Sequence, residues 1–309
     1  MTATITLSLE IELGWGFHDK PHGSELFSDQ CRVEHRTLDR LLDACDRFGV
    51  PMSFDVVGGL LNDPGHGREP SPHPDGWWPS DLDDESAASL YYAPDVVDRI
   101  RSRDVEHEIC THTYTHIPCA EFSDEVLDWE LQRSSAVHRR RGLPSPTSIV
   151  PPRHSPPTRE VLRRNGIDCV RVPSTEPPAS NVASFAYYLT RTHPVREPAL
   201  QDGVVETYTS MNTSLTAPYL QIGQKSPHLA FRTIPRTVRE RIHRRYMDRA
   251  LERAIEADSY AHLWSHLFNL SNDVQYPLVR DFLERLGAAH DRGAVEFATM
   301  ADVADGTLR

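Results

Sequence analysis

Residues 3 to 13 alternate strictly, with Ile5, Leu7, Leu9, Ile11 and Leu13 on one side and Thr4, Thr6, Ser8, Glu10 and Glu12 on the other. A period of two marks a β-strand, and this one brings two carboxylates to one face. From Arg36 to Phe48 the apolar positions of RTLDRLLDACDRF shift to helical spacing, Gly49 ends the helix, and VPMSFDVVGG reads as a second strand. Residues 61–93, rich in Pro, Gly, Asp and Ser, have no period and read as a long loop insertion within a single domain spanning 1–309. Beyond it the pattern predicts a helix over 93–103, a strand over 106–111, a helix over 123–141, a strand over 147–150, a helix over 157–165 and a strand over 169–172. After an irregular span come a helix over 236–257, a strand over 260–265, a helix over 277–290 and a last strand over 295–300. Strands and helices alternating from end to end predict an α/β fold, a barrel-like parallel sheet ringed by helices, with functional residues at the carboxyl ends of the strands.

Composition narrows the partners. Acidic residues outnumber basic ones 45 to 33 over 309 residues, and the net charge of −12 argues against a phosphate-binding surface and against nucleic acid as a partner. The glycines at 58, 59, 65 and 67 are followed by no Gly-Lys-Ser pattern and make no phosphate loop. No run reaches the roughly 18 apolar residues of a membrane span, and MTATITLSLEIELGW carries no basic stretch before an apolar one, so a cytoplasmic location is expected. Five cysteines, at 31, 45, 110, 119 and 169, include no C-x-x-C pair and are expected to be reduced.

The chemistry concentrates in HEICTHTYTHIPC, residues 107–119. His112 and His116 are four apart and would share one face if the loop after the strand turned into helix, where both could reach one cation. Two other readings stand beside that one: a structural zinc on Cys110, His112, His116 and Cys119, or histidines that hold no metal. A zinc-protease motif is excluded, because nothing acidic lies between His112 and His116 and any general base must come from elsewhere.

The context EHEICTHTYTH resembles the polysaccharide deacetylases of the NodB-homology superfamily (carbohydrate esterase family four), in which a strand ending G-H-E-I-G-S is followed by H-[ST]-x-x-H. SLEIELGWG, residues 8–16, resembles that family's first motif, and most of all a variant branch written D-x-E-L-x-W-G. FGVPMSFDVVG (48–58), VPPRHS (150–155) and HLWSHLFNL (262–270) resemble its second strand, its arginine motif and its last histidine motif, in the family's order. The chain departs from the pattern at Glu10, which stands for an aspartate, at Glu12, displaced by one residue, and at Cys110, which replaces a glycine. A D-x-W-like fourth motif has no equivalent here.

The resemblance implies a distorted (β/α) barrel of about seven strands and a metal-dependent hydrolase that removes an acyl group, acetyl by expectation, from an N-acylated sugar. Opening a cyclic amide, as allantoinase-like members do, and glycan binding without turnover are the alternatives. One divalent transition metal ion, zinc by expectation, would be held by Glu12, His112 and His116, an open three-ligand site. Glu10, at the motif's first acid position, would be the general base and Arg153 would orient it. His266, the second histidine of HLWSH, would be the acid that protonates the leaving nitrogen. Trp15 and Trp264 would offer a sugar platform, with His262 beside the substrate or in a structural role. The expected substrate is a carbohydrate, nucleotide-linked or lipid-linked, with RTIPRTVRERIHRR (232–245) a candidate basic patch for such a carrier.

Overall fold

The computed structural model of the chain describes residues 2–20, 22–174, 193–214 and 219–308; the irregular span expected after residue 172 falls partly outside these, at 175–192 and 215–218. Among the described residues nine strands form one sheet: β1 Ala3–Ile11, β2 Ser53–Val56, β3 Glu108–Thr111, β4 Ser148–Ile149, β5 Cys169–Val172, β6 Ala199–Gln201, β7 Val204–Asn212, β8 Ala261–His266 and β9 Val295–Phe297. Seven of them, β1, β2, β3, β4, β5, β7 and β8, pair in parallel, and the β1–β2 pairing closes the ring into the expected barrel. β6 adds to β7 as an antiparallel hairpin. β1 is shared along its length: Ala3–Ile5 pair with β9 and Ser8–Ile11 with β2, while the other edge carries β8.

The alternation of β1 does not put its polar side in water. Leu7 and Leu9 pack outward, against Leu41 of helix Arg32–Phe48 and Val279, Phe282 and Leu283 of helix Gln275–Asp291. Ser8 and Glu10 point into the barrel, where they meet Arg171 of β5 and, at Ser8, His262 of β8. Buried polar groups cost several kcal/mol unless they pair, so a polar barrel interior requires partners from facing strands, and these are supplied.

β6 and β7 are the strands the pattern did not predict. VVETYTSMN is rich in hydroxyls and reads as irregular, yet Thr207 and Ser210 use those hydroxyls inside the structure, against His262 Nδ1 and the His262 N–H. The chain end also differs from expectation: β9 stops at Phe297 and residues Met300–Leu308 form a helix. Thr299 starts it with a reciprocal cap, its N–H on the Asp302 carboxylate and the Asp302 N–H on its own hydroxyl. Met300 packs with Cys169, Val205 and Tyr260, and the Met300 and Ala301 N–H groups bond Ser53 and Glu108, so this helix covers the amino-terminal end of the barrel. The carboxyl-terminal end is left for chemistry.

Candidate metal centre

Four strands deliver the site. Glu10 is near the end of β1 and Glu12 just beyond it; His112 and His116 follow β3; Arg171 lies in β5; His266 ends β8. The loop after β3 does not become helix. Thr113 and His116 have left-handed backbones (φ 60° and 62°), and this tight turn brings the two imidazoles to 4.9 Å between ring centres. Non-glycine residues there cost of order 1–3 kcal/mol each, so the loop must be held. The N–H groups of Gly58 and Gly59 do so from one side by bonding the Thr113 and Tyr114 carbonyls, both at 2.8 Å. Gly59 is required by close approach, since a Cβ there would lie 2.5 Å from the Trp15 ring and 3.0 Å from the Tyr114 carbonyl.

One ligand atom each from Glu12, His112 and His116 lies within 4.8 Å of the others, all three residues being buried. His112 Nδ1 donates to the Val150 carbonyl at 2.6 Å, which fixes the tautomer and leaves Nε2 as a lone pair. That Nε2 has no hydrogen-bond partner, although it is buried 3.5 and 3.7 Å from the carboxylates of Glu10 and Glu12. His116 Nε2 is 2.8 Å from Glu12. An orphaned imidazole nitrogen beside a buried carboxylate and a second imidazole is the donor set of a three-ligand divalent ion site, and the residues fit such an ion. Glu10, Glu12 and His266 form a second such group. It is the poorer candidate, because Glu10 already carries the charge of Arg171 and a dication there would be repelled by the guanidinium. Neither group includes a cysteine. Cys110 donates its thiol to Asp55 inside the barrel and Cys119 to the Ile117 carbonyl, and burial raises both thiols, so the four-ligand structural zinc is not formed.

The charges around the acids are ordered. Burial alone would raise the Glu10 carboxyl, but His266 and then Arg171 outweigh it and hold it well below the usual carboxylate range. Glu12 is likewise lowered, His116 and His266 overcoming its burial. His266 Nε2 is 3.1 Å from Glu10 and 3.9 Å from Glu12; burial opposes its charge, yet the two acids push it up to about 9. Arg171 bonds Ser8 at 2.9 Å, pairs with Glu10 and stacks 4.8 Å above the Trp264 ring. Behind it Asp55, raised to about 7 by burial, lies 3.9 Å from the guanidinium.

The remaining expected residues are placed differently. Arg153 does not reach Glu10: its guanidinium bonds Asp19 at 2.5 Å at the surface, and Arg171 is the arginine on the acid. Trp15 is 2% exposed, donates its indole N–H to the Tyr91 carbonyl and packs edge-on against Tyr91 and Trp78, so it belongs to the core and offers no platform. Trp264 is at the site, but Arg171 covers one of its faces. His262 is fully buried between Ser8 and Thr207, which gives it the structural role. Arg171, Asp55 and Ser8 were not among the expected site residues. The available signal was an arginine inside the short buried strand CVRV, where a charge requires a partner.

The family model for polysaccharide deacetylase matches residues 23–170. Among solved structures, a Mycobacterium smegmatis protein assigned to the polysaccharide deacetylases superposes with a TM-score of 0.64 at 16% identity, covering 99% of this chain and 90% of that one. A Pseudomonas aeruginosa PAO1 protein assigned to the same class gives 0.59 at 13% identity, covering 98% and 89%. The allantoinase PuuE also gives 0.59 at 13% identity, with the same coverages. No curated protein matches the sequence. The polysaccharide deacetylase model thus matches a little under half of the chain, and the chain has the barrel fold of these solved structures.

Proposed function

We propose that the chain is a metal-dependent hydrolase that removes an acetyl group from the nitrogen of an N-acylated sugar or glycan precursor. The observation that carries this reading is the convergence, at the open end of one barrel, of a Glu–His–His donor set with an orphaned imidazole nitrogen and a second carboxylate locked by a buried arginine. Glu12, His112 and His116 would hold the ion, which when bound polarises the amide carbonyl and acidifies water. Glu10, kept ionised against its burial by His266 and Arg171, takes the proton of the attacking water. His266 Nε2, whose proton is shared with Glu10, then supplies the departing nitrogen, so that an amine leaves. Arg171 is held by Ser8 and Trp264 and so fixes the carboxylate's orientation without touching substrate.

A second reading is favoured by the aromatic residues: with Trp15 in the core and one face of Trp264 taken by Arg171, a small cyclic amide fits the same machinery without a sugar platform. The fold likeness to PuuE allantoinase is as great as that to the Pseudomonas protein. The zinc-loaded protein should be assayed for acetate release from free and nucleotide-linked N-acetylamino sugars, and for ring opening of small cyclic amides. Acetate release that vanishes in Glu10→Gln supports the first reading. Ring opening alone supports the second, and turnover unaffected by Glu10→Gln contradicts both.

A further inference from the structure

Behind the two histidines lies a buried carboxylate that the reaction does not use. Glu130 sits in helix Asp124–Arg140, on the stripe shared by Val126, Leu127, Leu131, Ser134 and Val137, and its side chain is 0% exposed. It accepts three hydrogen bonds, from the N–H of Tyr114 at 2.6 Å and of Thr115 at 2.8 Å and from the Thr115 hydroxyl at 2.6 Å, and makes a fourth polar contact as an ion pair with His73 Nε2 at 2.9 Å. Four polar contacts match the roughly four lone-pair sites of a carboxylate. Three come from the two residues between Thr113 and His116, the positions of left-handed backbone. The fourth comes from the 61–93 loop, whose Trp77 also donates its indole N–H to Thr115 Oγ1 at 2.8 Å. The His73 side chain is 1% exposed, stacked on Trp77 and edged by Trp78, Phe122 and Trp129.

A carboxylate in the middle of an apolar helix face costs several kcal/mol if unpaired, and all of its partners lie in the HTYTH turn or the long loop. We propose that Glu130 is a positioning residue for the metal-binding turn and that the 61–93 loop completes it through His73 and Trp77, so that metal binding at His112 and His116 and docking of that loop are thermodynamically linked. The proposal rests on the metal site argued above. Linkage is reciprocal: a docked loop raises metal affinity, and bound metal holds the loop down by the same factor. Loss of a hydrogen-bonding partner behind a metal ligand costs typically 10–100-fold in affinity.

The test is zinc affinity by chelator competition, together with protease cleavage within 61–93 with and without zinc. His73→Phe keeps the aromatic packing and removes the ion-pair contact with Glu130; Thr115→Val keeps the shape and removes the hydroxyl's bond to Glu130 and the Trp77 bond to that hydroxyl. Both should weaken zinc by about 10-fold or more, and zinc should slow loop cleavage in the wild type far more than in either variant. Glu130→Gln should weaken zinc further, and if it fails to fold the first two variants decide. Arg245→Ala, on the exposed side of the helix Arg236–Ala257 and away from the Glu130 helix, should match the wild type and shows what a non-specific change does. Wild-type zinc affinity in His73→Phe and Thr115→Val, with cleavage indifferent to zinc, overturns the linkage while leaving the metal site intact. Wild-type protein that binds no zinc, or keeps it in His116→Ala, overturns the metal site and the linkage with it.

Discussion

Replacing Arg171 by methionine separates the arginine that the structure places on the acid from the one the sequence suggested. Arg171 is 1% exposed and gives one bond to Ser8, an ion pair to Glu10 and a face to Trp264, so its removal leaves Glu10 buried with His266 as its remaining cationic partner. Breaking a buried pair costs about 3–5 kcal/mol, which at roughly 2 °C per kcal/mol for a chain of this size lowers Tm by about 6–10 °C. The methionine preserves most of the stem's packing. With the guanidinium gone, burial acts on Glu10 with less opposition and its carboxyl rises. A base must be ionised, so the acid limb of the kcat/KM profile moves to higher pH. Turnover near neutrality falls by a part of the 10²–10⁴ that a general base contributes, on the order of 10-fold to 100-fold. Arg153→Met removes only a surface pair with Asp19, both side chains about a third exposed or less, worth about 0–1 kcal/mol. It should leave the acid limb in place. Thermal melts, zinc content and kcat/KM from about pH 5 to 9 on both variants decide the matter. An acid limb that moves in Arg153→Met and stays in Arg171→Met refutes the assignment.

Gly16→Ala should weaken zinc by about 10-fold or more, because a Cβ at position 16 would overlap the Glu12 carboxyl and displace a ligand; affinity equal to wild type would show that Glu12 moves without cost. His266→Ala should cost on the order of 10² or more in rate with zinc content unchanged, while His262→Ala should act mainly on stability. Loss of zinc from His266→Ala would make His266 a ligand. His243, fully buried, donates Nε2–H to the Thr213 carbonyl, and burial pushes it down to about 4. Its folded value lies below the unfolded one of about 6.5, so its stabilisation is complete above that pH and is lost as pH falls toward 4, up to about 3 kcal/mol. Urea midpoints at about pH 7 and pH 5 should therefore converge in His243→Gln relative to wild type, and an unchanged gap would assign the acid sensitivity elsewhere.

Much of the barrel could be read from periodicity, because strands and helices alternate in apolar pattern as they do in space. The polar side of β1 gave the two acids, and HTYTH gave the two histidines, since these residue types at those spacings have few other uses. What escaped was set by contacts across the barrel. β7 hides its strand character in threonines and serines whose partners are a histidine and a backbone amide on another strand. Arg153 and Arg171 are equally arginine in sequence, and only the register of β5 against the ring turns the second one onto Glu10. The pairing of Glu130 with the turn between His112 and His116 joins a helix to a loop and leaves no local mark except an acid on an apolar stripe. Trp15 reads as a platform until Gly59 and Tyr91 are seen to enclose it.

The central claim is that Glu12, His112 and His116 hold the ion while Glu10 works beside it as base. Zinc per chain, measured by elemental analysis after exhaustive dialysis and reloading, tests it directly in the wild type and four variants. The account predicts about one ion per chain in wild type and in Glu10→Gln, and almost none in Glu12→Gln, His112→Ala or His116→Ala. Zinc lost from Glu10→Gln but kept in Glu12→Gln would exchange the two acids, and zinc kept in both histidine variants would contradict the site.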